Sequence, residues 1–277
     1  MKYLNLGCGY KYSTGKEWLN ADMLPVGEAV IRCNFLNGIP FENETFELVY
    51  HSHILEHFSR PDGERFIAEC FRILKPGGII RIALPDLEVI AKEYLKNLER
   101  GLQQVPGADK DYDWIMLEMY DQTVRNQSGG EMLTYLKADT IPNADYVFNR
   151  IGKGAKAYHT TAPNRSLMDK LKIFQKKPSL LFSKLRDMYF KMVMPGSKYK
   201  LYRIGSFRKG GEIHQWMYDR YSLGRLLQQV GFTEIMVRKA DTSYIPGWSS
   251  YQLDDTTETA SLFIEGVKPL QHKPVSA

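Results

Sequence analysis

The chain is poor in cysteine. Cys8, Cys33 and Cys70 are an odd number with no metal-like spacing, which excludes a disulfide scaffold and points to a reducing compartment. No apolar run reaches the ~18 residues that a membrane-spanning helix needs. Nothing resembles a secretory leader, so a cytoplasmic location is the expectation. No internal repeat stands out, and no RNA-binding motif accompanies the aromatic residues. Acid is locally scarce. From Arg150 to Gly210 only Asp169 and Asp187 face sixteen Lys or Arg, while the rest of the chain carries twenty-one basic and thirty acidic residues. An acidic body with one strongly basic segment suggests an acidic partner for that segment. The remaining composition, 43% hydrophobic and 25% charged over 277 residues, fits one large globular domain or a domain with an insertion.

What is present begins at Tyr3. The stretch Tyr3-Leu4-Asn5-Leu6-Gly7-Cys8-Gly9 runs a short apolar strand into two glycines, and Trp18-Leu19-Asn20-Ala21-Asp22 closes the next strand on an acid. Ligands of open α/β sheets bind at the carboxyl ends of the strands. Glycine lets the backbone turn tightly and approach a ligand closely. A carboxylate at the end of a second strand can accept from ribose hydroxyls. An ordinary tight turn and plain turn chemistry at Asp22 are the competing reading. The pattern lacks a third glycine, and Asp22 follows Gly9 by thirteen residues, fewer than the roughly 20 of dinucleotide dehydrogenases. Both features disfavour a nicotinamide enzyme.

Further strands are expected at Ala29–Cys33, Thr45–His51 and Ile79–Leu84. Apolar residues at helical spacing predict a helix over Pro61–Leu74, closed by Lys75-Pro76-Gly77-Gly78, and a second from Asp86 to Gly101. The strand and helix alternation favours a mostly parallel sheet with helical cover. It lapses after Leu102, where Trp114 to Leu136 reads as helix in two pieces broken at Ser128-Gly129-Gly130. It resumes at Asp219 with a helix and two final strands, Thr233–Arg238 and Ala260–Val267.

These residues resemble the class I S-adenosylmethionine-dependent methyltransferases, in particular their small-molecule, type 11-like branch. Leu4 to Gly9 is similar to the glycine-rich first motif, Phe46 to His57 to the fourth-strand motif, and Arg72-Ile73-Leu74-Lys75-Pro76-Gly77-Gly78 to the turn before the fifth strand. The resemblance implies a Rossmann-like, doubly wound, seven-stranded, mostly parallel α/β sheet with an inserted, mainly helical lid. Residues 1–98 and 212–268 would form the core, 99–211 the basic lid or substrate segment, and 269–277 a tail. It implies S-adenosyl-L-methionine as cofactor. The contacts would come from Asn5, Gly7, Cys8, Gly9, Asp22, Met23, Asn34, Phe35, His51 and Ser52. Asn34 departs from the family's usual Asp and can donate as well as accept.

Methyl transfer from a sulfonium needs donor and acceptor held close and in line, and a hydroxyl acceptor benefits from a general base. The candidates are His53, His57 and Asp86, although Asp86 also sits where a helix N-cap belongs. His53 and His57 would share a face if their segment is one turn of helix. They offer two metal ligands without an identifiable third, so no metal is expected. Gln122, Arg125, His214 and Tyr218 are substrate candidates, while His159 stays unassigned. Leu180, Leu181, Leu185, Met188, Tyr189 and Met192, interleaved with Lys184, Arg186 and Lys191, mark a basic amphipathic helix. It could contact an anionic membrane through 176–204 or simply cap the site. The expected function is methylation of a small-molecule, sugar or lipid-linked acceptor at a hydroxyl, with nucleic acid disfavoured. The alternative is a non-catalytic module of the same fold that docks on an anionic membrane or polymer.

Overall fold

Parallel pairing of short apolar strands builds the centre of the protein. The computed structural model describes residues 2–152, 178–255 and 259–270, and gives only the backbone of 178–184. Strands β1 (Tyr3–Leu6), β2 (Trp18–Asp22), β3 (Val30–Arg32), β4 (Phe46–Ser52) and β5 (Leu74–Pro85) are joined by β6 (Thr233–Arg238) and β7 (Ser261–Val267) in the order β3-β2-β1-β4-β5-β7-β6. The first five run parallel, and β7 is antiparallel to both of its neighbours. The strand order reverses direction between β1 and β4, the place where open sheets bind ligands.

Helices cover the sheet because strand residues alternate between its faces. α1 (Arg60–Ile73) starts at Ser59, whose hydroxyl accepts from the Asp62 amide. It buries Phe66, Ile67, Cys70 and Phe71 against Val49, Ile80 and Ile82. α8 (Arg220–Val230) packs into the same core through Leu223, Leu226 and Leu227. A second core on the opposite face gathers Tyr3, Trp18, Leu48, Tyr50 and Trp248.

Between α2 (Leu87–Leu102) and α8 lie α3 (Ala108–Val124), α4 (Gly130–Leu136), α5 (Ala144–Ile151), α6 (Pro178–Val193) and α7 (Gly196–Arg208). Several features differ from the sequence expectation, among them a β5 that begins at Leu74 and takes in the Lys75-Pro76-Gly77-Gly78 stretch read as a turn. α2 runs through Gly101 and ends at Leu102, with Gln103 as its C-cap. α3 begins six residues before Trp114, because Gly107 in the left-handed region starts it and Asp109 and Asp111 face its positive N-terminus. α5 is a helix the sequence did not announce. Its Val147 packs with Trp114 and Leu136 into a small core of the inserted helices. His159 lies outside the described residues, as do residues 176–177 and the side chains of Leu180, Leu181 and Lys184. Among the described residues no helix is long and apolar enough to cross a membrane.

Candidate active site

A cavity of about 950 Å³ opens at the carboxyl ends of β1, β4 and β5. Cys8, Lys11, His53, Pro85 and Ala260 line it from the sheet side, and Glu118, Gln122, Arg125, Met132 and Glu212 from the inserted helices and the segment that follows them. Strand ends thus meet the insertion across one space.

On the β1 side Gly7 and Gly9 both take positive φ, +62° and +50°. Asn5 is buried, and its amide donates to Lys11 O at 3.1 Å, which closes the turn. Asp22 lies at the end of β2. One carboxylate oxygen accepts from Gly9 N at 2.9 Å and the other from Leu24 N at 2.7 Å. Each oxygen keeps a second lone pair for a ligand hydroxyl. Met23 beside it is exposed. Asn34 caps the short helical turn Phe35–Asn37 by accepting from Leu36 N at 3.2 Å, and Phe35 packs on Phe66 in the core. Burial pushes the Cys8 thiol up to about 11, aided by the Asp22 charge, so it stays protonated at neutral pH.

His51 does not reach the cavity. β4 alternation puts it with Val49 on the α1 face, fully buried against Phe66, with neither ring nitrogen hydrogen-bonded among the described residues. Ser52 follows on the other face at the strand end.

His53 does line the cavity. Its φ of +53° is uncommon for a residue with a side chain, and its amide donates to Ala83 O at 2.9 Å. Its Nδ1 stands 3.3 Å from Glu56 Oε1, near enough for an ion pair but off the hydrogen-bonding direction. Its Nε2 is 3.4 Å from the Ser261 hydroxyl. The expected shared face of His53 and His57 is not formed. Leu55–His57 is a single tight turn, and the left-handed His53 backbone precedes it. His57 turns instead to Ile213 O, 3.2 Å from Nδ1, and meets the His214 ring edge-on at 4.8 Å.

Glu56, inside the Phe46–His57 stretch that resembles the fourth-strand motif, is 1% exposed. Its carboxyl falls to about 2: burial opposes the charge, but His53, His214 and His57 together outweigh it. The one sequence hint was its place, an acid in the apolar run Ile54-Leu55…Phe58 between two histidines. His214 is buried, its Nε2 lies 3.1 Å from Gln122 Nε2, and burial drives its imidazole down to about 4. Arg125 is tied to Glu212 at 3.3 Å, and Glu118 holds Arg150 in a buried ion pair. The Glu118–Arg150 pair was not legible in the sequence, since its partners lie 32 residues apart on separate helices.

Asp86 caps α2, accepting from Glu88 N at 2.9 Å, and burial raises its carboxyl. Tyr218 pairs with Asp86 through the backbone. Its hydroxyl is buried without a partner among the described residues and is pushed up to about 12, chiefly by burial. Neither residue lines the cavity.

Residues 16–82 match the methyltransferase domain family. No curated protein matches the sequence. Similar solved structures include an S-adenosylmethionine-dependent methyltransferase of Thermotoga maritima, 13% identical over 96% of this chain and 82% of that one, with a TM-score of 0.38. Another is a methyltransferase of the same kind from Archaeoglobus fulgidus, 11% identical over 96% and 86%, TM-score 0.39. A third is a phosphoethanolamine N-methyltransferase of Haemonchus contortus in complex with S-adenosyl-L-methionine, 12% identical over 97% and 48%, TM-score 0.38. The residues at the β1 and β2 ends fit such a cofactor. A Cβ at Gly9 would meet nothing within 4 Å, and the Asp22 carboxylate retains acceptor capacity beside it. Residues 16–82, which run from the start of β2 into β5, thus match a methyltransferase domain and lie within a seven-stranded α/β sheet of the order β3-β2-β1-β4-β5-β7-β6.

Proposed function

We propose that the enzyme methylates a hydroxyl of a small-molecule, sugar or lipid-linked acceptor, with His53 as general base. The observation that carries this reading is the placement of His53 between a buried carboxylate and the cavity. Glu56 favours the proton on Nδ1, which leaves the lone pair on Nε2. Ser261 Oγ lies 3.4 Å from that nitrogen, and an acceptor hydroxyl would have to take over this contact to give up its proton. S-adenosyl-L-methionine supplies an electrophilic methyl group when bound. Asp22, Gly9 and Cys8 hold it at the β1 and β2 ends, while Gln122 and Arg125 orient the acceptor from the opposite wall. Among acceptor classes, a lipid-linked one is supported by the exposed apolar and basic surface of α6 and α7.

The test compares His53→Asn with Asp22→Ala in calorimetric cofactor titration and in turnover with a panel of hydroxyl acceptors. His53→Asn should leave cofactor affinity unchanged and lower kcat about 10²–10⁴-fold. Asp22→Ala should weaken cofactor binding about tenfold or more. Wild-type turnover in His53→Asn would remove the base assignment, and methylation confined to amines would remove the hydroxyl reading.

A further inference from the structure

The Glu56 carboxylate is a buried charge that the hydrogen-bond network leaves unsatisfied. Among the described residues His53, 3.3 Å from one oxygen, is its nearest charged partner, neither oxygen has a well-directed hydrogen-bond donor, and no lysine or arginine pairs with the carboxylate. A buried carboxylate is costly unless a cation compensates it. His57 and His214 stand beside it, and one ligand atom from each of the three residues lies within 4.8 Å of the others.

Each imidazole has one nitrogen beside a neighbouring polar group, which leaves its other nitrogen available as a ligand. The Ile213 carbonyl at His57 Nδ1 requires a proton there, so the lone pair sits on Nε2. In His214 the Nδ1 atom is buried without a partner among the described residues, while Nε2 meets the Gln122 amide. Ligation through Nδ1 requires a proton on Nε2, which Gln122 accepts once its amide presents the oxygen.

A clamp between chain segments accounts for part of this cluster. Gln215 and Trp216 amides donate to Glu56 O, and the Gln215 side chain donates to His57 O. Those bonds use backbone carbonyls and leave the carboxylate with the His53 contact and the nearby His57 and His214 rings.

We propose that Glu56, His57 and His214 bind one divalent first-row transition ion, zinc being the best match, which fastens the segment after the insertion to the end of β4. Two imidazoles and one carboxylate form a borderline N/O set suited to zinc, with a fourth position left open. Bonds of about 2.1 Å imply ligand atoms roughly 3.4 Å apart in a tetrahedron. The ion would therefore draw together a set that spans up to 4.8 Å. Glu56 also faces His53, and Gln122 lines the cavity, so the ion would lie behind the acceptor wall.

The experiment uses the full chain stripped with a chelator and titrated with Co²⁺, followed by visible absorption, and with Zn²⁺, followed by calorimetry and thermal unfolding. Neither readout needs methyl transfer, so failure here is distinct from failure of the base assignment. The expected result is one equivalent bound, with cobalt d–d bands of a low-coordinate site and a raised Tm. Glu56→Gln and His214→Asn should each weaken binding at least a hundredfold, while His53→Asn binds as wild type does. If Glu56→Gln does not fold, His57→Asn and the wild-type titration decide. No saturable binding into the millimolar range would overturn the proposal. So would one-equivalent binding that persists in Glu56→Gln, or in both histidine variants.

Discussion

Gly7 and Gly9 stand two residues apart at the end of β1, and a methyl group would meet very different surroundings at each. At Gly7 an added Cβ would fall 1.9 Å from Ile54 Cδ1 and 2.5 Å from Cγ1, and Ile54 is itself buried in the core. Gly7→Ala therefore combines a left-handed backbone with overpacking, and each costs on the order of 1–3 kcal/mol. At Gly9 nothing lies within 4 Å, so only the backbone penalty of about 1 kcal/mol applies. Urea unfolding should show Gly7→Ala destabilised by at least about 1 kcal/mol more than Gly9→Ala. Equal losses would mean that Ile54 moves aside freely. Both glycines were legible as a turn, but the contrast between them was not, because Ile54 reaches Gly7 from the far end of β4. Glu56 and His214 were hidden for the same reason: their partnership spans 158 residues and depends on how the insertion returns.

At the scale of elements, the strand and helix alternation was readable wherever apolar runs have one meaning. β1, β2, β4, α1 and α8 stand close to where their periodicity places them. The reading faded where burial comes from distant charge. Arg81 sits in a strand that reads as apolar, yet it is fully buried with Asp254 and Glu265, each within 2.8 Å. Its Asp254 partner comes from the loop before β7, and no local pattern announces it. α6 presents the opposite case, because its apolar spacing was visible and, among the described residues, that face is exposed. Leu185, Met188, Tyr189 and Met192 recur at helical spacing and are 48%, 64%, 56% and 79% exposed. Arg186, Lys191, Lys198, Lys200 and Arg203 flank them, with Asp187 paired to Arg203. An apolar stripe with basic flanks matches an anionic lipid surface. Sedimentation with phosphatidylserine vesicles should show binding that weakens as salt rises. Met188→Glu with Met192→Glu should abolish it without changing cofactor affinity. Equal binding to neutral vesicles, or full binding by the double variant, would exclude this surface as the contact.

At the scale of the whole molecule, His51 links folding to pH. Burial lowers its imidazole from 6.5 to about 4, with the Glu56 charge opposing only part of that displacement. A base whose folded value is depressed binds fewer protons in the native than in the unfolded chain. Its stabilising effect is thus complete above about pH 6.5 and drains away as pH falls towards 4. The displacement corresponds to on the order of 3 kcal/mol. Glu56 acts in a lower window: its folded value of about 2 lies below the ordinary 4.5, so its contribution holds above about 4.5 and is lost only as pH falls through 2. His214, depressed to about 4 as well, shares the upper window. The slope of unfolding free energy between pH about 6.5 and 4 should therefore fall by roughly half, not vanish, in His51→Leu. At neutral pH the same variant should be as stable as wild type or more so. It removes two buried ring nitrogens that lack partners among the described residues, and such atoms cost about 1–3 kcal/mol each. Urea titrations across that range decide the matter. An unchanged slope would show that His51 takes up its proton without leaving the core, and a marked loss at neutral pH would show that its ring is held by more than packing on Phe66.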